Sequence, residues 1–166
     1  MPANAAANQL AARLLAGCEA GGLHLMLAES LTGGLLADAL ISVPGASRVV
    51  LGSVVAYDSR IKGKLLGVPA EVIADFGVVS DQTAAAMAVG ARDALGSVEL
   101  KVIGVATTGV AGPDLVEGKP VGRVHIAVAT ADGVTRQALQ FFGDRQEIRE
   151  QAVEAALQMT LEAIAD

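Results

Sequence analysis

Apolar positions along the chain fall into alternating helical stripes and short buried runs. Leu10, Leu14 and Cys18 recur at four-residue spacing and predict a helix over residues 4–20, closed by Gly21-Gly22. Leu23–Glu29 (LHLMLAE) is short and mostly apolar, which predicts a strand. A helix over Gly33–Ser42 follows, stopped by Val43-Pro44-Gly45, and then a second strand over Leu51–Tyr57. Helical pattern runs through Lys62 to Gly67-Val68-Pro69, where Pro69 opens a further short helix to Asp75. Ser80 is placed to cap a long Ala- and Met-rich helix to Leu95. Lys101–Ala106 predicts a buried strand. Val121–Thr130 and Val134–Phe142 predict a hairpin turning at Asp132-Gly133. From Arg145 onward, Ile148, Ala152, Ala156, Thr160 and Ile164 mark one face of a final helix.

Helices that alternate with strands and end in a hairpin and a helix predict an α/β fold. The expected architecture is a single three-layer α/β/α domain over residues 1–166, with a mixed, mainly parallel sheet and one antiparallel member. In such sheets ligands collect beyond the carboxyl ends of the strands, so the segments just after the strands carry the functional question.

Composition narrows the picture. Apolar residues make up 52% of the chain but aromatics only 2%, so the core is built from Ala, Val, Leu and Ile. No uninterrupted apolar run of ~20 residues is present, so no membrane partner is expected. The net charge of −6, without a basic patch interleaved with aromatics, argues against a nucleic-acid partner. The opening MPANAAANQL lacks a basic segment followed by an apolar one, and the single Cys18 sits on an apolar helix face as a buried, inert thiol. A cytoplasmic, reducing location is the expectation. Neither metal-ligand spacing nor a phosphate-binding glycine pattern occurs, so no metal and no cofactor are expected.

Four segments after strand ends could carry chemistry. In Ala28-Glu29-Ser30-Leu31-Thr32-Gly33-Gly34 a strand ends, two hydroxyls appear, and Gly33 and Gly34 let a ligand approach the backbone. A helix N-terminus there offers N–H groups to an oxyanion or a phosphate; the same pattern also fits simple N-capping by Ser30 or Thr32. A serine nucleophile needs a base. His24 and His125 lie inside strands, away from strand ends, and read as packed or edge histidines. Lys62, just past the second strand, is the other option, because burial lowers a lysine pKa enough to accept a serine proton; a solvated helix lysine is the plain alternative. Thr107-Thr108-Gly109-Val110-Ala111-Gly112-Pro113 is a hydroxyl- and glycine-rich exit loop. In Phe142-Gly143-Asp144-Arg145, Asp144 is a natural N-cap and Arg145 is suited to a phosphate. Gly90 and Gly104 read as structural.

Taken in order, these segments resemble the CinA carboxy-terminal domain family, whose stand-alone members are nicotinamide-nucleotide amidases. The resemblance runs from about residue 8 to 164: AESLTGG at 28–34, VPGAS at 43–47, VVAY at 54–57, Lys62 with LLGV at 65–68, GVVS at 77–80, TTGVAGP at 107–113, PVG at 120–122, and FGDR with IR at 142–149. It implies a three-layer fold of the anticodon-binding-domain type, frequent homodimers, and metal-free hydrolysis of nicotinamide mononucleotide to nicotinate mononucleotide and ammonia. Carried over by position, Ser30 is the nucleophile, Lys62 the general base and Tyr57 an orienting residue. Thr32, Gly33, Gly34, Thr108, Gly109 and Arg145 form the substrate-binding set. Two segments depart from the family pattern. Asp114-Leu115-Val116-Glu117-Gly118 replaces a glycine-rich loop and brings Asp114 and Glu117 toward the implied phosphate site. Tyr57-Asp58-Ser59-Arg60-Ile61 replaces a small polar run. A non-catalytic nucleotide-binding module and a competence- or damage-associated interaction domain are the alternative functions.

Overall fold

Helices and strands follow the predicted alternation in a computed structural model that describes residues 5–95 and 99–165. Asn4, where the first helix was expected to begin, and the residues before it lie outside the described residues. In chain order the elements are α1 (Ala5–Gly21), β1 (Leu23–Glu29), α2 (Leu35–Ile41), β2 (Val50–Val55), α3 (Ser59–Leu66), α4 (Ala70–Phe76), α5 (Asp81–Asp93), β3 (Lys101–Gly109), β4 (Arg123–Ala129), β5 (Val134–Gln140) and α6 (Arg145–Ala165). The sheet order is β2-β1-β3-β4-β5. β1 pairs in parallel with β2 and β3, and β4 runs antiparallel to both of its neighbours, so it is the single reversed strand.

Side-chain alternation gives the sheet two unlike faces. On one, Leu25, Leu27, Ile103, Val105, Val124, Ile126 and Val128 pack against α1, α2 and α6. On the other, Ala28, Ala106, Ala127 and Ala129 meet Ala84, Met87, Ala88 and Ala91 of α5. The second face is thin because its side chains are small, so α5 approaches very closely. A Cβ at Gly104 would lie 1.9 Å from the Ala88 carbonyl oxygen, and one at Gly90 would lie 1.8 Å from that of Leu66, at the end of α3. These two glycines therefore seat α5 on β3 and α3 on α5, the structural role expected of them.

Several boundaries differ from expectation for physical reasons. Gly33 and Gly34 have φ of 57° and 101°, so α2 begins after them rather than at Gly33. β2 ends at Val55, leaving Tyr57 in the following loop. β3 continues past Ala106 because Thr107, Thr108 and Gly109 pair with Ile126, His125 and Val124; that stretch is strand, not exit loop. β4 starts at the end of the sheet where β1 and β3 finish, which puts His125 near the site end, contrary to the expectation that it lies away from a strand end. The caps fall as expected. Ser80 accepts the Thr83 N–H at 3.1 Å, and Asp144 accepts the N–H groups of Gln146 and Glu147 at 2.9 Å each. Among the described residues no helix is long and apolar enough to cross a membrane. Cys18 is fully buried, and desolvation pushes its thiol pKa up to about 11, in keeping with an inert group.

Candidate active site

From β1 the chain moves outward to β2 over one face and returns over the other to β3, so strand order reverses between β1 and β3. The crevice at their carboxyl ends is the place where this topology leaves room for a ligand. Ser30, directly after β1, stands there, with its N–H donated to the Thr107 carbonyl at 3.1 Å. Ser30 and Lys62, 32 positions apart, meet at that point: the Lys62 Nζ lies 3.0 Å from the Ser30 Oγ and donates to the Ala56 carbonyl at 2.5 Å.

Lys62 projects from α3, whose N-cap Asp58 accepts the Arg60 N–H at 2.8 Å. It is only 1% exposed, and no carboxylate pairs with it among the described residues. Desolvation lowers its pKa to about 8, with the Asp58 charge opposing that fall. Neutral Lys62 has one free lone pair, and Ser30 carries the hydroxyl proton that can fill it. With Lys62 neutral, the pair has the spacing needed to make an alkoxide-like nucleophile.

Glu29, adjacent to the serine, points to the other side of the sheet and is fully buried. Its carboxylate accepts from the Thr32 Oγ1 (2.8 Å), the N–H groups of Gly34 (3.0 Å), Leu36 (3.0 Å) and Ala37 (3.1 Å), and the Ser53 Oγ (2.8 Å). Here the structure corrects the sequence reading. The N–H groups at the start of α2 are occupied by Glu29 and are not open to an external anion. The Thr32 hydroxyl, fully buried and shared between Glu29 and the Thr107 Oγ1 at 2.9 Å, is likewise occupied. Gly33 and Gly34 supply the left-handed turn that carries the chain from Ser30 into α2. The N–H groups of Leu31 and Thr32, by contrast, have no acceptor within the described chain.

Arg149 holds this turn from outside. Its Nε donates to the Leu31 carbonyl at 2.8 Å and one terminal nitrogen donates to that of Thr32 at 3.0 Å. Sequence reading did not single out Glu29 or Arg149. The available signals were a charged residue closing an apolar strand, and a second arginine one helical turn after Arg145.

The remaining expected residues divide. Thr108 is buried and its hydroxyl donates to the Val78 carbonyl at 2.6 Å, tying β3 to the segment before α5. Gly109 lines a cleft of about 210 Å³ with Leu31, Tyr57, Asp114 and Arg145. Arg145 donates to the Gly112 carbonyl and, at 3.2 Å, to the Tyr57 hydroxyl. Tyr57 is 65% exposed and forms no hydrogen bond with Ser30 or Lys62; it stands at the mouth of the cleft instead of orienting the pair. In the departing loop, Glu117 turns away from the cleft and accepts the Val78 N–H at 3.0 Å, whereas Asp114 lines it. No cluster of metal-ligating side chains occurs among the described residues.

Known proteins share this arrangement of fold and sequence. Residues 7–164 match the CinA C-terminal domain family. A putative competence-damage inducible protein of Desulforamulus reducens is 52% identical over 138 residues, which is 83% of this chain and 33% of that protein. A CinA-like protein of Frankia casuarinae is 47% identical over 141 residues, covering 85% and 32%. The chain thus spans about a third of the length of these curated relatives. The crystal structure of a CinA superfamily protein from Klebsiella pneumoniae superposes with a TM-score of 0.90 at 31% identity, covering 96% of this chain and 98% of that one. Competence/damage inducible protein CihA from Agrobacterium tumefaciens superposes with 0.89 at 38% identity, covering 98% of each. On this match of sequence and fold, the chain belongs to the CinA C-terminal domain family.

Proposed function

We propose that the chain is a serine amidase that converts nicotinamide mononucleotide to nicotinate mononucleotide and ammonia, with Ser30 as nucleophile and Lys62 as general base. The contact between the Ser30 Oγ and the buried Lys62 Nζ, 3.0 Å apart, carries this reading. Neutral Lys62 takes the Ser30 proton as Oγ attacks the carboxamide carbon. The tetrahedral oxyanion is stabilised by the acceptor-free N–H groups of Leu31 and Thr32. Lys62 then returns the proton to the departing amine, which leaves as ammonia. In the second half Lys62 takes a proton from water, the hydroxide attacks the ester carbon, and Ser30 leaves with the proton from Lys62.

The cleft suits this substrate class. Asp114 offers a carboxylate and Tyr57 an exposed ring to a positively charged pyridinium, and Arg145 offers a guanidinium to a phosphate. The test is ammonia release from nicotinamide mononucleotide by the wild type, Ser30→Ala and Lys62→Ala. Activity in the wild type and its loss in both variants supports the reading. Undiminished release by Ser30→Ala removes the serine as nucleophile, and nucleotide binding without ammonia from the wild type favours a non-catalytic module.

A further inference from the structure

Beyond β3 from Ser30, a second cleft of about 380 Å³ opens at the same end of the sheet, lined by Phe76, Asp81, Lys119, Pro120, Arg123 and His125 among others. Its charged groups are balanced except for one. His125, only 8% exposed, meets Asp81 with its Nδ1 2.7 Å from Oδ1. Lys119 donates to the Phe76 carbonyl at 2.9 Å and faces the Glu117 carboxylate at 3.5 Å, while Glu117 also takes the Val78 N–H. Arg123 has no such partner. Its Nε is fully enclosed without an acceptor, and its guanidinium forms no hydrogen bond or ion pair with the described residues.

An enclosed N–H without an acceptor is costly, and native proteins leave few of them. The cost is imposed by the backbone. Arg123 opens β4 with its carbonyl accepting the Val110 N–H at 2.9 Å, so the side chain is fixed on the α5 face, two positions before His125. An oxyanion is the chemistry that would satisfy a fixed guanidinium beside an ammonium and an imidazole. The cleft has room for more than a bare ion, and Phe76 and Pro120 give it an apolar wall.

We propose that this cleft binds the phosphate group of a small phosphate monoester through Arg123, at a site separate from Ser30. The proposal rests on the Arg123 cleft alone and does not depend on the amidase reading. Titrating the chain with ribose 5-phosphate and with inorganic phosphate, followed by calorimetry and by the His125 ring resonances, tests it. Saturable binding is expected with both, tighter for the ester. Arg123→Gln should weaken it by about tenfold or more, Lys119→Gln by less, and Arg123→Lys should retain part of it. Read at the His125 ring resonances, which report this cleft, Ser30→Ala and Arg145→Gln should leave the binding midpoint within about twofold of the wild type. Thermal melts of each variant separate lost binding from lost fold. The site is overturned if neither probe shifts the His125 resonances saturably, if folded Arg123→Gln shows the same His125 midpoint as the wild type, or if Arg145→Gln abolishes the His125 shifts. Equal or weaker binding of the ester overturns its assignment to a phosphate monoester.

Discussion

Glu29 and Ser30 are neighbours at the end of β1, yet they open onto environments with opposite logic. On the Glu29 side a buried charge is fully answered, with five hydrogen bonds converging on one carboxylate and locking the turn into α2. On the Ser30 side a buried lysine is left without a counter-charge in contact and keeps only a serine hydroxyl and a carbonyl. The satisfied charge is scaffold. The under-satisfied one has its pKa drawn down to about 8, which suits the base role proposed for it. One strand end holds both because alternate residues face opposite sides of a sheet.

The largest expected effect breaks the scaffold side. Glu29→Ala strands five donors, two of them buried and three part-buried, and should cost about 4 kcal/mol in urea denaturation, enough to threaten folding. Lys62→Met acts in the opposite direction on stability. Ammonia release should vanish while stability at pH 7 rises by about 1–3 kcal/mol, because the penalty for a buried ammonium is removed. The sign follows from linkage. A folded-state pKa near 8 against an ordinary 10.5 means that the unfolded chain binds more protons between these values. Wild-type stability from this group therefore rises with pH across that window, whereas Lys62→Met stays flat and its advantage shrinks.

Smaller effects sharpen the contrast. Arg149→Gln releases the Leu31 and Thr32 carbonyls and should lower kcat/KM by about 10–100-fold through misplacement of Ser30. The pH midpoint of the reaction should not move, since Lys62 is untouched. Tyr57→Phe, which removes only the hydroxyl facing Arg145, should raise KM by about two- to fivefold and leave kcat and the midpoint unchanged. A shifted midpoint would restore Tyr57 as a partner of the Ser30–Lys62 pair.

Local pattern carried most of the fold. The four-residue stripe of α1, the apolar run of β1, the Ser80 cap and the Asp-Gly turn each lie where periodicity and turn chemistry put them. What the chain did not disclose locally is set by pairing across strands. Thr107–Gly109 reads as a polar loop but is held in β3 by β4. The site shows the same division. Ser30 and Lys62 were each legible as polar residues just past a strand. Glu29 reads as the ordinary end of β1, because its five donors, four from residues 32–37 and one from Ser53 in β2, converge on it only once the chain has folded. Arg149 stands 118 positions from the Leu31 carbonyl it holds, beyond the reach of local pattern.

The pH dependence of kcat/KM for ammonia release from nicotinamide mononucleotide tests the central claim most directly. If Lys62 is the base, only about a tenth of the enzyme is active at pH 7, and the rate climbs through a midpoint near 8 to a plateau. A profile that is flat across that range, or that falls as pH rises, would contradict a neutral Lys62 acting on Ser30.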